Sequence, residues 1–362
     1  MRELILHIGR AKTGTTTWQL MVALNRQVLQ PAGINIPQFF RGDNHGELAV
    51  AFANQPGRLG RGYAVESHED QVELRGKLQR KFERELTDGT WLFTSEHLST
   101  RLRTAAEVDS LYEFLSGHFD QIKVFAYVRR PDDLAPSAFA ETIKAGRTHG
   151  FNRKYVLSAR AFFDHAEFAQ RWERPHRSDI TFTLRPYLRE GHLDDMWRTL
   201  FTLADARPPL PQLVVPPAPA NEALSAAALR YLQEVNPLVP DGALTNRNRR
   251  ALIATLAGQQ GANLLLAPTV AAALAAQGLL AGGLRERDLV GDIGDMRWQV
   301  WFAAAPSVTG DWPRLSDAER DEFAERCAVA GVTFNSEAEV ESTKPGTTLR
   351  AIRRAAIRLT QR

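Results

Sequence analysis

The chain has 362 residues, 44% hydrophobic and 24% charged, with a formal net charge of +3. This length and balance exclude a disordered polyelectrolyte and leave room for one large domain plus an extension, built around a full apolar core. So small a net charge makes the whole molecule a poor general binder of polyanions, and Cys327, the one cysteine, excludes an intrachain disulfide or a cysteine-built zinc site.

The chain opens on Leu4-Ile5-Leu6-His7-Ile8, an apolar, unpatterned run that predicts a strand buried on both faces of a parallel sheet. The run before Gly9 is too short for a signal-peptide core and has no small-residue cleavage site. No stretch approaches about 18 uninterrupted apolar residues. Pro268, Thr269 and Gln277 break the Ala-rich segment from Leu264 to Leu280. A soluble, cytoplasmic protein is expected.

Gly9 to Gly14 reads as a loop, Thr15 to Leu29 as a helix ending before Pro31, and Glu69 to Leu86 as a charged amphipathic helix. Trp91 to Thr94 predicts a strand that runs into Ser95-Glu96-His97. A helix at Ala105–Leu115 and a strand at Ile122–Val128 follow. Pro131, tolerated in a first turn, opens a helix reaching about Lys144. Ala159 to Trp172 reads as a helix, and Ile180 to Leu184 as a further strand. This alternation predicts an α/β fold with a parallel sheet covered on both faces.

Composition changes near Pro208, where Pro208 to Pro219 holds six prolines and reads as a rigid connector. Beyond it, helical patterns recur at Ser225–Glu234, Asn248–Leu256 and Ser316–Ala328. The expected organisation is an α/β domain over 1–207, a Pro-rich connector over 208–220 and a mostly helical C-terminal region over 221–362.

The strongest local signal is Gly9-Arg10-Ala11-Lys12-Thr13-Gly14-Thr15-Thr16-Thr17, placed between a first strand and a first helix. A parallel sheet presents backbone amides to an anion at that position. Gly14 permits close approach, and the hydroxyls of Thr13, Thr15, Thr16 and Thr17 are donors for phosphate oxygens. Lys12 adds a point charge within reach of a bridging oxygen. A helix cap alone requires fewer donors. The triphosphatase spacing G-x-x-x-x-G-K-[S/T] is met by the two glycines and not by the lysine, because Thr15 follows Gly14 and Lys12 precedes it. A kinase also needs a carboxylate at a strand end to hold magnesium. The strands here are followed by Arg129, Arg130 and Arg185, which suit an anion.

In these residues the sequence resembles the sulfotransferases that use 3′-phosphoadenosine-5′-phosphosulfate (PAPS), whose phosphosulfate loop usually reads P-K-[S/T]-G-T-T. Ala11 stands where proline is usual. The resemblance implies a three-layer, P-loop-like α/β fold in which Lys12, Thr13, Gly14, Thr15, Thr16 and Thr17 hold the 5′-phosphosulfate, with PAPS as co-substrate and no metal. It also implies a second motif, an arginine after a strand and a serine eight residues later, for the 3′-phosphate. Arg129 and Ser137 meet that spacing about 115 residues after the loop. Arg129 offers a bidentate fork and Ser137 a hydroxyl.

Transfer to a hydroxyl needs a base. Glu96 and His97 stand where the predicted strand Trp91 to Thr94 ends at the sheet edge, and adjacent residues of a strand point to opposite faces. Family members use a histidine or a glutamate near this point, so both remain candidates, with Glu96 favoured. Lys12 and the loop amides are expected to stabilise charge on the leaving phosphate.

Other features carry less. Ser137, Glu141 and Lys144 share a helix face, and Arg185-Pro186-Tyr187 follows a strand. Trp298, Trp301, Phe302 and Trp312 suit a packed core better than a sugar platform. From Lys344 to Arg362 there are six Lys or Arg residues with only neutral residues between them, and Leu349–Arg362 reads as a basic amphipathic helix suited to membrane contact, to a solvated terminus or to packing on the sheet domain. The expected function is sulfuryl transfer from PAPS to a hydroxyl or amine of an acceptor such as a carbohydrate or small metabolite. A P-loop nucleotide kinase and a catalytically inactive nucleotide-binding protein are the alternatives. No nucleic-acid partner is expected, and the sequence carries no signal for an oligomeric state.

Overall fold

A computed structural model describes residues 1–207, 213–215, 224–239, 245–257, 261–284, 296–303, 314–332 and 334. Five strands, β1 (Arg2–His7), β2 (Ile34–Asn35), β3 (Gly89–Thr94), β4 (Gln121–Val128) and β5 (Ile180–Pro186), form one sheet in the order β2-β3-β1-β4-β5. Every neighbouring pair is parallel. In register, Leu4 lies beside Trp91 on one side and Ile122 on the other.

Strand side chains alternate between faces, so a sheet covered on both sides needs apolar residues at successive positions. Leu4, Leu6, Phe93, Val124 and Ala126 pack into one core with the helices His68–Glu85, Ala105–Ser116 and His165–Trp172. Their intervening neighbours Ile5, Leu92, Phe125 and Tyr127 face the other side. There they meet Trp18 and Met21 of the helix Thr15–Leu24 and Trp197 and Leu200 of the helix His192–Leu203. The rings of Trp18 and Trp197 meet edge-on at 4.7 Å, a geometry that adds about 0.5–1.5 kcal/mol to simple burial.

The first helix stops earlier than its apolar pattern predicts. It ends at Leu24, and a separate short helix covers Arg26–Leu29. The buried Asn25 side chain causes the break. Its Nδ2 donates to the carbonyls of Met21 and Val214, both at 2.8 Å, and its Oδ1 accepts from Val214 N at 2.7 Å. The run Ala159–Trp172 is likewise divided, because the Asp164 side chain caps a new helix by accepting from Glu167 N. Strand β2, with two residues, is too short to leave a sequence pattern.

The chain folds as two compact units that interleave in sequence. The first comprises Met1–Arg130, Asp164–Pro219 and Ala281–Ala304 and contains the sheet. Trp298 and Trp301, on the helix Met296–Ala303, are buried in its core, so packing accounts for them; Trp312 lies outside the described residues. The second comprises Pro131–Phe163, Ala220–Leu280 and Ala305–Arg362. Its described part is helical, with Leu134 and Phe139 of the helix Pro131–Lys144 packed among Leu229, Leu232, Leu252 and Phe323. Tyr231 stacks on Phe323 at 5.0 Å, and burial pushes the Cys327 thiol up to about 12. Of the Pro-rich stretch only residues 213–215 are described, and the basic tail Leu349–Arg362 lies outside the described residues. Among the described residues no helix is long and apolar enough to cross a membrane.

Candidate functional site

In the order β2-β3-β1-β4-β5 the chain runs from β1 toward one edge and from β4 toward the other. Neighbouring strands whose connections diverge leave a crevice beyond their carboxyl ends, where open α/β sheets bind ligands. The segments that border this crevice are Gly9–Gly14 after β1 and Arg129 after β4.

The loop is held by its carbonyls. Ser99 Oγ donates to Gly9 O at 2.5 Å, and Thr13 Oγ1 donates to Arg10 O at 2.7 Å. Arg129 Nη1 reaches Lys12 O at 3.3 Å, and Trp18 N donates to Gly14 O at 3.0 Å. His192 Nε2 lies 2.8 Å from Thr13 O and, facing a carbonyl, carries the proton. A peptide that turns its carbonyl inward turns its N–H the other way. Accordingly, among the described residues, the N–H groups of Ala11, Gly14, Thr15, Thr16 and Thr17 donate to no backbone carbonyl. Lys12 and Gly14 adopt φ of 66° and 75°, which bends the run into a concavity of donors. For Lys12 the left-handed conformation costs about 1–2 kcal/mol, which the surrounding bonds must offset.

Four buried histidines brace this region. His7 Nδ1 lies 2.8 Å from Thr94 Oγ1, and Thr94 N donates to His45 Nδ1 at 3.0 Å. His165 Nε2 lies 2.8 Å from the carbonyl of Arg129. The His192 ring packs against Tyr187 at 4.4 Å, and Tyr187 in turn lies under the Arg129 guanidinium at 5.3 Å. Burial pushes His7, His45 and His165 down to about 3 and His192 down to about 4. Arg10 is buried over the Phe168 ring at 4.3 Å, and burial, with Arg171 nearby, lowers it to about 9.

These histidines make the fold sensitive to acid. An unfolded histidine titrates near 6.5, so between about pH 6.5 and 4 the unfolded chain binds protons that the folded chain refuses. Stability therefore rises with pH across that window and is lost as pH falls, each histidine contributing up to about 1.4 kcal/mol per pH unit. We expect the thermal midpoint to decline steadily from pH 6.5 to pH 4. A flat series of melts over this range would rule the account out.

Of the residues singled out in sequence, the structure brings Thr13, Gly14, Thr15, Glu96 and the Lys12–Arg129 contact together in the first unit. Thr13 and Thr15 are buried with their hydroxyls engaged, whereas Thr16 is exposed and Thr17 half-buried. Thr15 Oγ1 donates to Glu96 Oε2 at 2.6 Å. Glu96 opens the short helix Glu96–Arg101, and Ser95 before it is buried. His97 is half-buried, its Nε2 3.3 Å from Asn44 Nδ2. Burial lowers its pKa, with Glu96 opposing and Arg101 assisting. Ser137 is on the helix Pro131–Lys144 and belongs to the second unit.

Sequence reading did not assign a role to His7, His165 or His192, which lie far apart along the chain and carry no spacing signal. Tyr187 had surfaced only as part of Arg185-Pro186-Tyr187. Arg185 itself donates to Asp195 Oδ1 at 2.9 Å, an acid that also accepts from the Tyr127 hydroxyl at 2.7 Å. The fold and loop define an α/β protein with an all-parallel five-stranded sheet and, beside β1, a run of amides that meet no backbone carbonyl. No family model, curated protein or solved structure matches the chain.

Proposed function

We propose that the chain is a sulfotransferase moving a sulfuryl group from PAPS to a hydroxyl of an acceptor. The observation that carries this reading is the loop whose carbonyls are taken by Ser99, Thr13, Arg129, His192 and Trp18. Its outward amides suit an anionic sulfate and phosphate, and Lys12 supplies positive charge beside them. Arg129, at the end of β4, brings a guanidinium where a magnesium-dependent triphosphatase would place a carboxylate.

The Thr15 hydroxyl donates to Glu96, which leaves this side chain as an acceptor able to take a proton. In the reaction the acceptor oxygen forms a bond to sulfur as the bond from sulfur to the 5′-phosphate oxygen breaks. The acceptor proton passes to Glu96. The departing 3′,5′-adenosine bisphosphate carries the added negative charge, which the loop amides and Lys12 stabilise.

Calorimetric titration with 3′,5′-adenosine bisphosphate tests the donor site against ADP and against ATP with magnesium. We expect the bisphosphate to bind in preference to both. Arg129→Ala should weaken it about 10- to 100-fold, the range for a lost charge-assisted hydrogen bond. Preference for ATP with magnesium would move the chain to the kinases. A parallel titration of Ser137→Ala asks separately whether that hydroxyl contributes.

A further inference from the structure

Two stretches of the second unit are basic and hold no acid at all. Residues 142–163 contain five Lys or Arg, residues 245–280 add Arg247, Arg249 and Arg250, and neither has an Asp or Glu, in a chain whose 42 acids nearly match its 45 Lys and Arg. The fold draws the two stretches together. Arg249 Nη1 donates to Asn236 Oδ1 at 2.7 Å, and Asn236 Nδ2 donates to the carbonyls of Ile143 at 2.8 Å and Arg147 at 2.9 Å. Gly146, at a φ of 97°, leaves room for the same guanidinium: a Cβ there would stand 2.9 Å from Arg249 Nη2. Beyond Arg147 the His149 ring stacks at 5.6 Å on Tyr155, which directly follows Arg153 and Lys154.

Stability does not account for these cations. Arg247, Arg249 and Arg250 occupy the first two turns of the helix Thr245–Ala257, the end at which peptide dipoles favour acids, and its first turn has none. Among the described residues Arg147, Arg153, Lys154, Arg247 and Arg250 are exposed and enter no ion pair. The neighbouring acids are taken, Glu141 by Lys144 and Glu234 by Arg230 and Arg320. The face also has an apolar element. Leu157, on the helix Arg153–Ser158 with Arg153 and Lys154, is 45% exposed. That helix packs against Pro268–Ala276, ahead of which Leu265 is 38% exposed.

We infer that this face docks the protein on a membrane surface that carries anionic lipid, independently of any sulfuryl transfer. Exposed cations attract acidic headgroups, and a leucine set among them enters the boundary between headgroups and acyl chains. A nucleic acid would match the charge, but its bases stack on open aromatic rings, and Phe151 and Tyr155 are buried in the core of this unit. An exposed leucine beside arginines adds nothing to a contact with phosphodiesters.

The test is co-sedimentation of the full chain with vesicles of phosphatidylcholine alone and of roughly three parts phosphatidylcholine to one part phosphatidylserine, beside a titration with duplex DNA. Wild type should bind the anionic vesicles about tenfold or more tightly than the neutral ones. Raising salt from about 0.1 M to about 0.5 M should remove most of that difference. Arg153→Gln/Lys154→Gln and, on the other stretch, Arg247→Gln/Arg250→Gln should each weaken binding about 20-fold, at about fivefold per charge. Leu157→Gln should weaken it about fivefold. All these side chains are exposed, and an unshifted thermal midpoint would show that the fold is kept. The basic tail Leu349–Arg362 is intact in every sample, so binding that survives both double substitutions arises elsewhere and refutes the face. Equal binding to the two vesicles, binding to neither, an unaffected Leu157→Gln, or duplex DNA held more tightly than anionic vesicles would each refute it as well.

Discussion

Glu96→Gln is expected to cut kcat by about 10²- to 10⁴-fold, the usual contribution of a positioned general base. Binding of 3′,5′-adenosine bisphosphate should change by no more than about twofold, well under the 1.4 kcal/mol that a tenfold shift represents. Glutamine keeps the shape of glutamate and still offers an oxygen to the Thr15 hydroxyl, which donates at 2.6 Å in the native chain. What it cannot do is take the acceptor proton. The comparison that gives the result meaning is His97→Asn. If His97 donates to the acceptor through Nδ1, the loss should fall mainly on KM, whereas a loss concentrated in kcat would transfer the base role to the imidazole. Rates with a saturating acceptor and a variable donor, on both variants, separate the two.

A second large effect is expected at Gly9. A Cβ on this residue would meet Thr15 Cγ2 at 2.2 Å and His7 Cε1 at 3.2 Å. Gly9→Ala must therefore displace either the Thr15 side chain or the backbone that leaves β1. Overpacking of this kind costs about 1–3 kcal/mol. Rotating Thr15 away relieves the clash only by breaking its bond to Glu96, so activity should fall with stability. Thr15→Ser removes the offending methyl and keeps the hydroxyl. The double variant Gly9→Ala/Thr15→Ser should regain most of the lost stability and much of the lost turnover, a coupling that denaturant melts of the four proteins would measure. Additive losses would show that the two positions do not press on each other.

Much of this architecture was legible in the sequence because it depends on local pattern. The uninterrupted apolar runs of β1 and β4 mark strands buried on both faces, and the Gly–Thr run between β1 and the first helix pattern marks the loop after that strand. What supports the loop was not legible. His192 and Thr13 are 179 residues apart, and only the fold brings Nε2 to that carbonyl. The end of the first helix at Leu24 also escaped, since Asn25 breaks it through hydrogen bonds to Val214. Asp164 ended a helical run that its apolar periodicity would have continued, by offering its carboxylate as a cap. At Glu96 and His97 the sequence supplied two chemically able neighbours. Their different settings, one against Thr15 and one against Asn44, arise from segments distant in the chain.

The interleaving of the two units bears on how the protein emerges during synthesis. The sheet is fully translated once β5 has passed, yet its core also takes in Leu284, Trp298 and Trp301. A nascent chain that has reached only residue 207 would hold a sheet with part of its apolar surface bare, at the stage when exposed surface favours aggregation. The ribosome must complete the return segment Ala281–Ala304 before the first unit can close. The helix Pro131–Lys144 and its neighbours must meanwhile await partners from Ala220–Leu280. The first unit is thus held open until its return segment is made, and the second, whose core includes Phe323 and Cys327, can close only after it.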